Sequence, residues 1–465
     1  MNKRENHSTT LEELRERVHH RLQELGTRQQ GIEPLRDLFL RELNYDYKNQ
    51  RLPLPEEKSR HLVREEPVII ATGGDGDFKI IYIHLRDTLS LSSERTLISK
   101  LLPDHIYALF IFSNAAQNRW HFVNVKDGSS PTKRHLFRRI TIGPEERLRT
   151  AVERIAMLDL TLISPNESTI QALSIQDAYD KAFDVEAVTR RFYSEYRIMF
   201  DILQKDLFKQ TNDDAWAHDY ALQFLNRCMF LYFIQRKRWL GDDTEFLKLF
   251  WKAYHEPEHE KDTFVSQWLN ILFFKAFNDQ YNQTYNHFPK HIHDILMLAP
   301  YLNGGLFTEN GLDKKHSFTV SDMRFEQVFN LLEKYNFTIS EDSPLDQEVA
   351  VDPEMIGTVY ESLVNVSTEV DERSDAGIFY TPRTEIDLMC RLSLVDYMTN
   401  NLGQEHKSLL YETVFAIELE DKELVDQRLA DAQLWQKVYD LLNDVTVVDP
   451  ACGSGAFLVG MLWVW

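Results

Sequence analysis

Cysteine is nearly absent: three residues in 465, Cys228, Cys390 and Cys452, with no CxxC pair among them. So sparse and odd a set excludes a disulfide framework and a zinc ribbon, and fits a reducing cytoplasm. Long apolar runs are missing as well. No stretch reaches the roughly eighteen residues a bilayer-spanning helix needs, and the amino-terminal MNKRENHSTTLEELRERV lacks the apolar centre of a secretory signal. The expectation is a cytoplasmic chain with no membrane partner. Positive charge is in the minority, 52 Lys and Arg against 73 Asp and Glu, a formal net of −21. Contacts with nucleic-acid phosphates must then come from local patches. The phosphate-loop pattern GxxxxGK followed by Ser or Thr does not occur, which disfavours an NTPase. Internal repeats and low-complexity tracts are lacking too.

What is present predicts an α/β and α multidomain chain in three regions: 1–165, 166–345 and 346–465. The first opens with a helix, because Leu11, Leu14, Val18, Leu22 and Leu25 recur at spacings of three and four. Thr9 and Glu12 suggest a capping box, and Gly26 a stop. The runs PVIIA, FKIIYIHL, YALFIFSN, RWHFVNVK and LFRRITIG then read as strands of an antiparallel sheet, with TGGDGD as a turn. The second region is helical: VEAVTRRFYSEYRIMFDILQKDL, ALQFLNRCMFLYFIQRKRWL, EFLKLFWKAY and FEQVFNLLEKYNF carry helical periodicity, with a turn at Gly304 and Gly305. ISEDSPLDQEVAVDPE, around Pro344, is the expected boundary into the third. There DPEMIGTVYESLVN and the residues after Pro382 read as helices.

Chemistry concentrates at the end of the third region, in TVVDPACGSGAF. TVV reads as a short buried strand ending at Asp449. Gly453 and Gly455 let the backbone turn and approach a ligand closely. The helix that follows aims its first amides into the same space. An acid there can pair with an ammonium or a hydroxyl, a set that suits S-adenosylmethionine, which has an ammonium group and a ribose but no phosphates.

DPACGSGAF resembles the cofactor motif DPxxGSGxF of N6-adenine DNA methyltransferases, and GIFYTP, Gly377 to Pro382, resembles that family's second cofactor motif. DPEMIGTVYESL, PYLNGGLF and LNRCMFLYFIQRKRWL look like segments of type IIG restriction–modification enzymes and of the BREX phage-defence methyltransferases; together the likeness covers about residues 180 to 465. The resemblance implies the start of a Rossmann-like class I methyltransferase domain with an incomplete sheet. It implies S-adenosylmethionine as cofactor and duplex DNA as partner. Asp449, Pro450, Cys452, Gly453 and Gly455 would line the methionine half of the cofactor, and Phe457 would fix the loop. Phe379, Tyr380, Thr381 and Pro382 would hold its carboxylate, although Tyr380 reads equally well as an aromatic buried under the loop.

In that family transfer belongs to a motif of Asp, Asn or Ser, then Pro-Pro, then an aromatic, which grips the flipped adenine. This sequence has no Pro-Pro dipeptide, so no catalytic residue is assigned. The expectation is an amino-terminal part of a methyltransferase, truncated after the cofactor motif and inactive alone. Two alternatives stay open: a binding or regulatory subunit completed by a second chain, and a Mg²⁺-dependent nuclease with a vestigial methyltransferase part.

The nuclease alternative rests on Asp77-Phe78-Lys79, a DxK triplet, with Glu65 and Glu66 upstream; a solvated turn beside a strand explains the same residues, and a degenerate nuclease-like domain is compatible with both. His255-Glu256-Pro257-Glu258-His259 matches HExxH, but Pro257 breaks the helix that a zinc site needs. His287, His291 and His293 read as surface residues. Arg236, Lys237 and Arg238 close an apolar helix, where they either complement its dipole or touch phosphate.

Overall fold

The first helix, α1 (Leu11–Thr27), buries Leu14, Val18, Leu22 and Leu25 as the periodicity predicts. Its capping box lies one residue later than expected: the Thr10 amide donates to Glu13 Oε2 at 3.0 Å and the Glu13 amide to Thr10 Oγ1 at 3.3 Å. Gly26 does not end the helix. It is buried inside it, and a Cβ there would stand 3.1 Å from the Gly143 carbonyl carbon, so its role is close approach. The computed structural model of the protein describes residues 10–27, 31–54, 56–127, 135–164, 170–256, 260–282, 285, 287–302, 305–338, 346–351, 381, 383–416, 419–450, 452 and 455–464.

A seven-stranded sheet follows α1, in the order β1 to β7. Its strands are β1 (Asp46–Arg51), β2 (Val68–Gly73), β3 (Phe78–His84), β4 (Ala108–Ser113), β5 (Trp120–Asp127), β6 (His135–Ile142) and β7 (Asp346–Glu348). All five predicted apolar runs are strands. The sheet is mixed rather than wholly antiparallel, because β3 pairs β4 in parallel, and so do β6 and β7. The first parallel pair is a crossover through α2 (Leu91–Leu101), and parallel strands require such a connection. Ile80, Tyr82, Leu109 and Ile111 face one core, and Ile81, Ile83, Phe110 and Phe112 face another under α2. Burial on both faces explains why β3 and β4 read as unbroken apolar runs.

Helices α3 (Leu148–Ala156), α4 (Ala172–Ala182), α5 (Val185–Thr211), α6 (Asp214–Arg236), α7 (Phe246–His255) and α8 (Asp322–Leu332) build the middle of the molecule. Most of α6 between Trp216 and Gln235 is buried, as a largely apolar helix must be, with Asp219 and Phe230 left exposed. One continuous core runs from Leu14 of α1 through the sheet and these helices to Val351. The turn before α3 is bonded to the helices by three consecutive residues. Glu145 pairs with Arg238, Glu146 with Arg236 at 3.0 Å, and Arg147 with Glu333 at 2.7 Å.

Beyond residue 380 lie α9 (Arg383–Leu402), α10 (Lys407–Phe415), α11 (Leu419–Asp431), α12 (Trp435–Asp444) and α13 (Ala456–Val464). They share a small core of Leu394, Met398, Leu410, Val425, Leu429, Leu434 and Val438. The helix read over DPEMIGTVYESLVN and the Pro344 boundary fall outside the described residues.

Candidate cofactor-binding site

The glycine loop sits between α12 and α13. The run expected as a buried strand, Thr446 to Val448, belongs to no strand or helix, and Val448 is 80% exposed. A parallel strand depends on neighbours at both edges and cover on both faces, and among the described residues this segment has neither. Asp449 is half-buried at its end, while Pro450 and Cys452 are exposed. The Gly455 amide donates to the Cys452 carbonyl at 2.7 Å, closing a tight turn onto the start of α13. Gly455 has φ +81, a left-handed conformation that strains any other L-residue, and no atom lies within 4 Å of where its Cβ would be. The first-turn amides of α13 lack intrahelical acceptors and carry its positive dipole end. The loop can thus offer a carboxylate to a cation and amides to an anion. That donor set fits the amino-acid half of S-adenosylmethionine.

Of the upstream motif, Thr381 is exposed, two residues before α9. Phe379, Tyr380, Pro382 and, in the loop, Gly453 lie outside the described residues. The helices that follow the two motifs pack directly on each other. A Cβ on Gly460 of α13 would meet Ile386 Cγ2 at 2.5 Å and Cys390 Sγ at 3.4 Å. The Cys390 thiol donates to the Phe457 carbonyl at 3.6 Å. Burial raises that thiol's pKa above its usual value, with Asp387 adding to the effect. Ile386, Cys390 and Gly460 were not singled out from the sequence; a lone glycine inside an apolar helix was the available signal of close packing.

The other candidate groups are tied into the fold. Lys79 donates to His105 Nδ1 at 2.9 Å near one end of β3, whereas Glu65 approaches His84 at 4.0 Å at the other. Asp77 is exposed beside Gly74, so the structure does not gather Asp77, Lys79, Glu65 and Glu66 around one ion. His105 titrates below its usual range, through burial and then the Lys79 charge. Helix α7 ends at His255, and Pro257 to His259 lie outside the described residues. His287 and His291 are exposed, but half-buried His293 bonds the Tyr281 hydroxyl at 2.8 Å. Arg236 and Arg238 are committed to Glu146 and Glu145 rather than presented to phosphate.

A second long-range anchor escaped the sequence reading. Buried Arg227 of α6 forks onto Asp313, Nη1 at 2.7 Å and Nη2 at 3.0 Å, and donates to the Leu306 carbonyl at 2.6 Å. It holds the segment that follows PYLNGG against α6.

A protein of Methanocaldococcus jannaschii, described provisionally as a type II restriction enzyme and methyltransferase, is 27% identical to this chain over 307 residues. The match takes in 60% of this chain and 25% of the relative, so the chain spans a quarter of that relative's length. No family model and no solved structure matches the chain.

Proposed function

We propose that the chain carries the methionine half of the S-adenosylmethionine pocket of a DNA methyltransferase specific for adenine N6, in a restriction–modification or phage-defence system. The observation that carries the reading is the bond from the Gly455 amide to the Cys452 carbonyl at 2.7 Å, with Gly455 at φ +81, which leads the chain into the first amides of α13 just after Asp449. Asp449 would accept from the cofactor ammonium, and the α13 amides and Thr381 would hold its carboxylate. When bound, S-adenosylmethionine supplies an activated methyl group; the residues here bind and orient it. The adenine acceptor and the DNA partner are inferred from the family likeness of DPACGSGAF and GIFYTP, and the named relative is compatible with both. Without a Pro-Pro motif to hold the flipped base, the chain is proposed not to transfer the methyl group by itself.

Tritiated S-adenosylmethionine tests both halves. Equilibrium dialysis should retain label on the wild-type chain and lose at least tenfold with Asp449→Ala, while label in adenine-containing duplex DNA stays at background. Transfer by the chain alone would refute the second half, and retention unaffected by Asp449→Ala the first.

A further inference from the structure

The first turn of α13 is held from α9. The Val459 amide is the first to bond inside α13, to the Gly455 carbonyl at 2.9 Å, so the amides of Ala456, Phe457 and Leu458 precede any intrahelical acceptor. The Cys390 thiol of α9 donates to the Phe457 carbonyl at 3.6 Å. That carbonyl shares one planar peptide unit with the Leu458 amide, so holding the one aims the other. Ile386 lies one turn before Cys390 on the same face of α9 and meets Gly460 of α13. Both α9 side chains are buried, and both fall within the first eight residues of the helix that Thr381 precedes.

Gly460 sets how far apart the two helices stand. A Cβ there would lie 2.5 Å from Ile386 Cγ2, 3.4 Å from Cys390 Sγ and 3.9 Å from Ile386 Cβ. Only the first is a clash; the other two are ordinary contact. Cγ2 is bonded directly to a β-branched carbon whose rotamer a helix fixes, so it does not swing aside. Carbons in contact sit about 3.5–4.0 Å apart, and the helices would have to part by roughly 1 Å. Helix α9 is itself braced, because Arg391 is bonded to both Asp387 oxygens and to the Val414 carbonyl of α10.

On the S-adenosylmethionine reading, we propose that Cys390 and Gly460 are positioning residues of the cofactor site. They act through the backbone: Cys390 aims the Leu458 amide, and Gly460 sets the distance between the amides of α13 and Thr381 ahead of α9. Binding groups must be held to within about 0.5 Å of their working geometry, which is less than the shift that one methyl group at position 460 forces.

Titration calorimetry of the whole chain with S-adenosylmethionine tests this, with circular dichroism to establish that each variant is folded. Gly460→Ala should weaken binding about tenfold. Adding Ile386→Leu, which removes Cγ2 at nearly constant volume, should restore it to within about twofold. Cys390→Ala, which only removes atoms, should weaken binding too and carries the test if Gly460→Ala does not fold; Cys390→Ser, which keeps a donor, should bind as wild type does. A role in stability alone would lower the urea midpoint and leave the affinity of the folded chain unchanged. Unchanged affinity in folded Gly460→Ala or Cys390→Ala, or a double variant as weak as Gly460→Ala, overturns the positioning role; if Asp449→Ala still abolishes binding, the cofactor reading stands. Failure of the wild-type chain to bind S-adenosylmethionine overturns both.

Discussion

At the scale of single residues, Glu146 bears most on stability. Its carboxylate accepts from Arg236 Nη2 with both oxygens at 3.0 Å, and its side chain is 2% exposed. Burial pushes its pKa up, but the Arg236 charge and hydrogen bond, Asn336 and Arg119 outweigh this and hold it below the ordinary carboxylate range. Removing one partner of a buried pair strands the other charge, at about 3–5 kcal/mol; Glu146→Gln should therefore unfold at lower denaturant concentration at pH 7. A depressed pKa gives stability that is present above the unfolded-state value and lost as pH falls through the folded-state value. The gap between wild type and Glu146→Gln should then close in urea titrations taken below about pH 4. A gap that is constant from pH 7 to pH 3 contradicts an ionised Glu146.

At the scale of elements, Gly460 decides how closely α9 and α13 approach. Gly460→Val places branched carbon where Ile386 Cγ2 already lies within 2.5 Å of a Cβ. Overpacking of this kind costs about 1–3 kcal/mol. The separation should release Cys390, so its labelling by an aromatic disulfide reagent should accelerate at least tenfold; an unchanged rate would mean that the helices do not pack as described. Strands and helices were legible in the sequence to the extent that one residue type dominated each face. The apolar strands β2, β3 and β4 are buried along almost their whole length and announce themselves, and β6 shows as a strand through its buried Phe137, Ile140 and Ile142. DYKNQR of β1 is exposed along its whole length, so no alternation marks it as a strand. TTLEE offers two capping registers one residue apart, and only the helix start at Leu11 chooses between them. Arg227 and Asp313 are 86 residues apart, beyond any local pattern. The glycine loop was legible because its turn is local, whereas cover for Thr446 to Val448 depends on contacts a linear pattern does not contain.

At the scale of the molecule, the sheet and the middle helices act as one unit. The core is continuous from Leu14 to Val351, and Glu145, Glu146 and Arg147 each cross from the sheet side to the helices. Trp120 lies in the sheet and Trp216 in α6, both fully buried. Circular dichroism and tryptophan fluorescence should thus report coincident urea midpoints for this unit; a sheet that melts separately would show as a split transition.

The central claim is that the loop from Asp449 to Gly455 recognises the amino-acid end of S-adenosylmethionine. The loop offers a carboxylate to a cation and first-turn amides to an anion, so the proposed contacts fall on the amino-acid half, which should dominate binding to this chain. Titration calorimetry of the whole chain with S-adenosylmethionine and with 5′-methylthioadenosine, which lacks the amino-acid group, measures this directly. The account predicts saturable binding of the first and at least tenfold weaker binding of the second. Equal affinities, or no binding of S-adenosylmethionine, would contradict it.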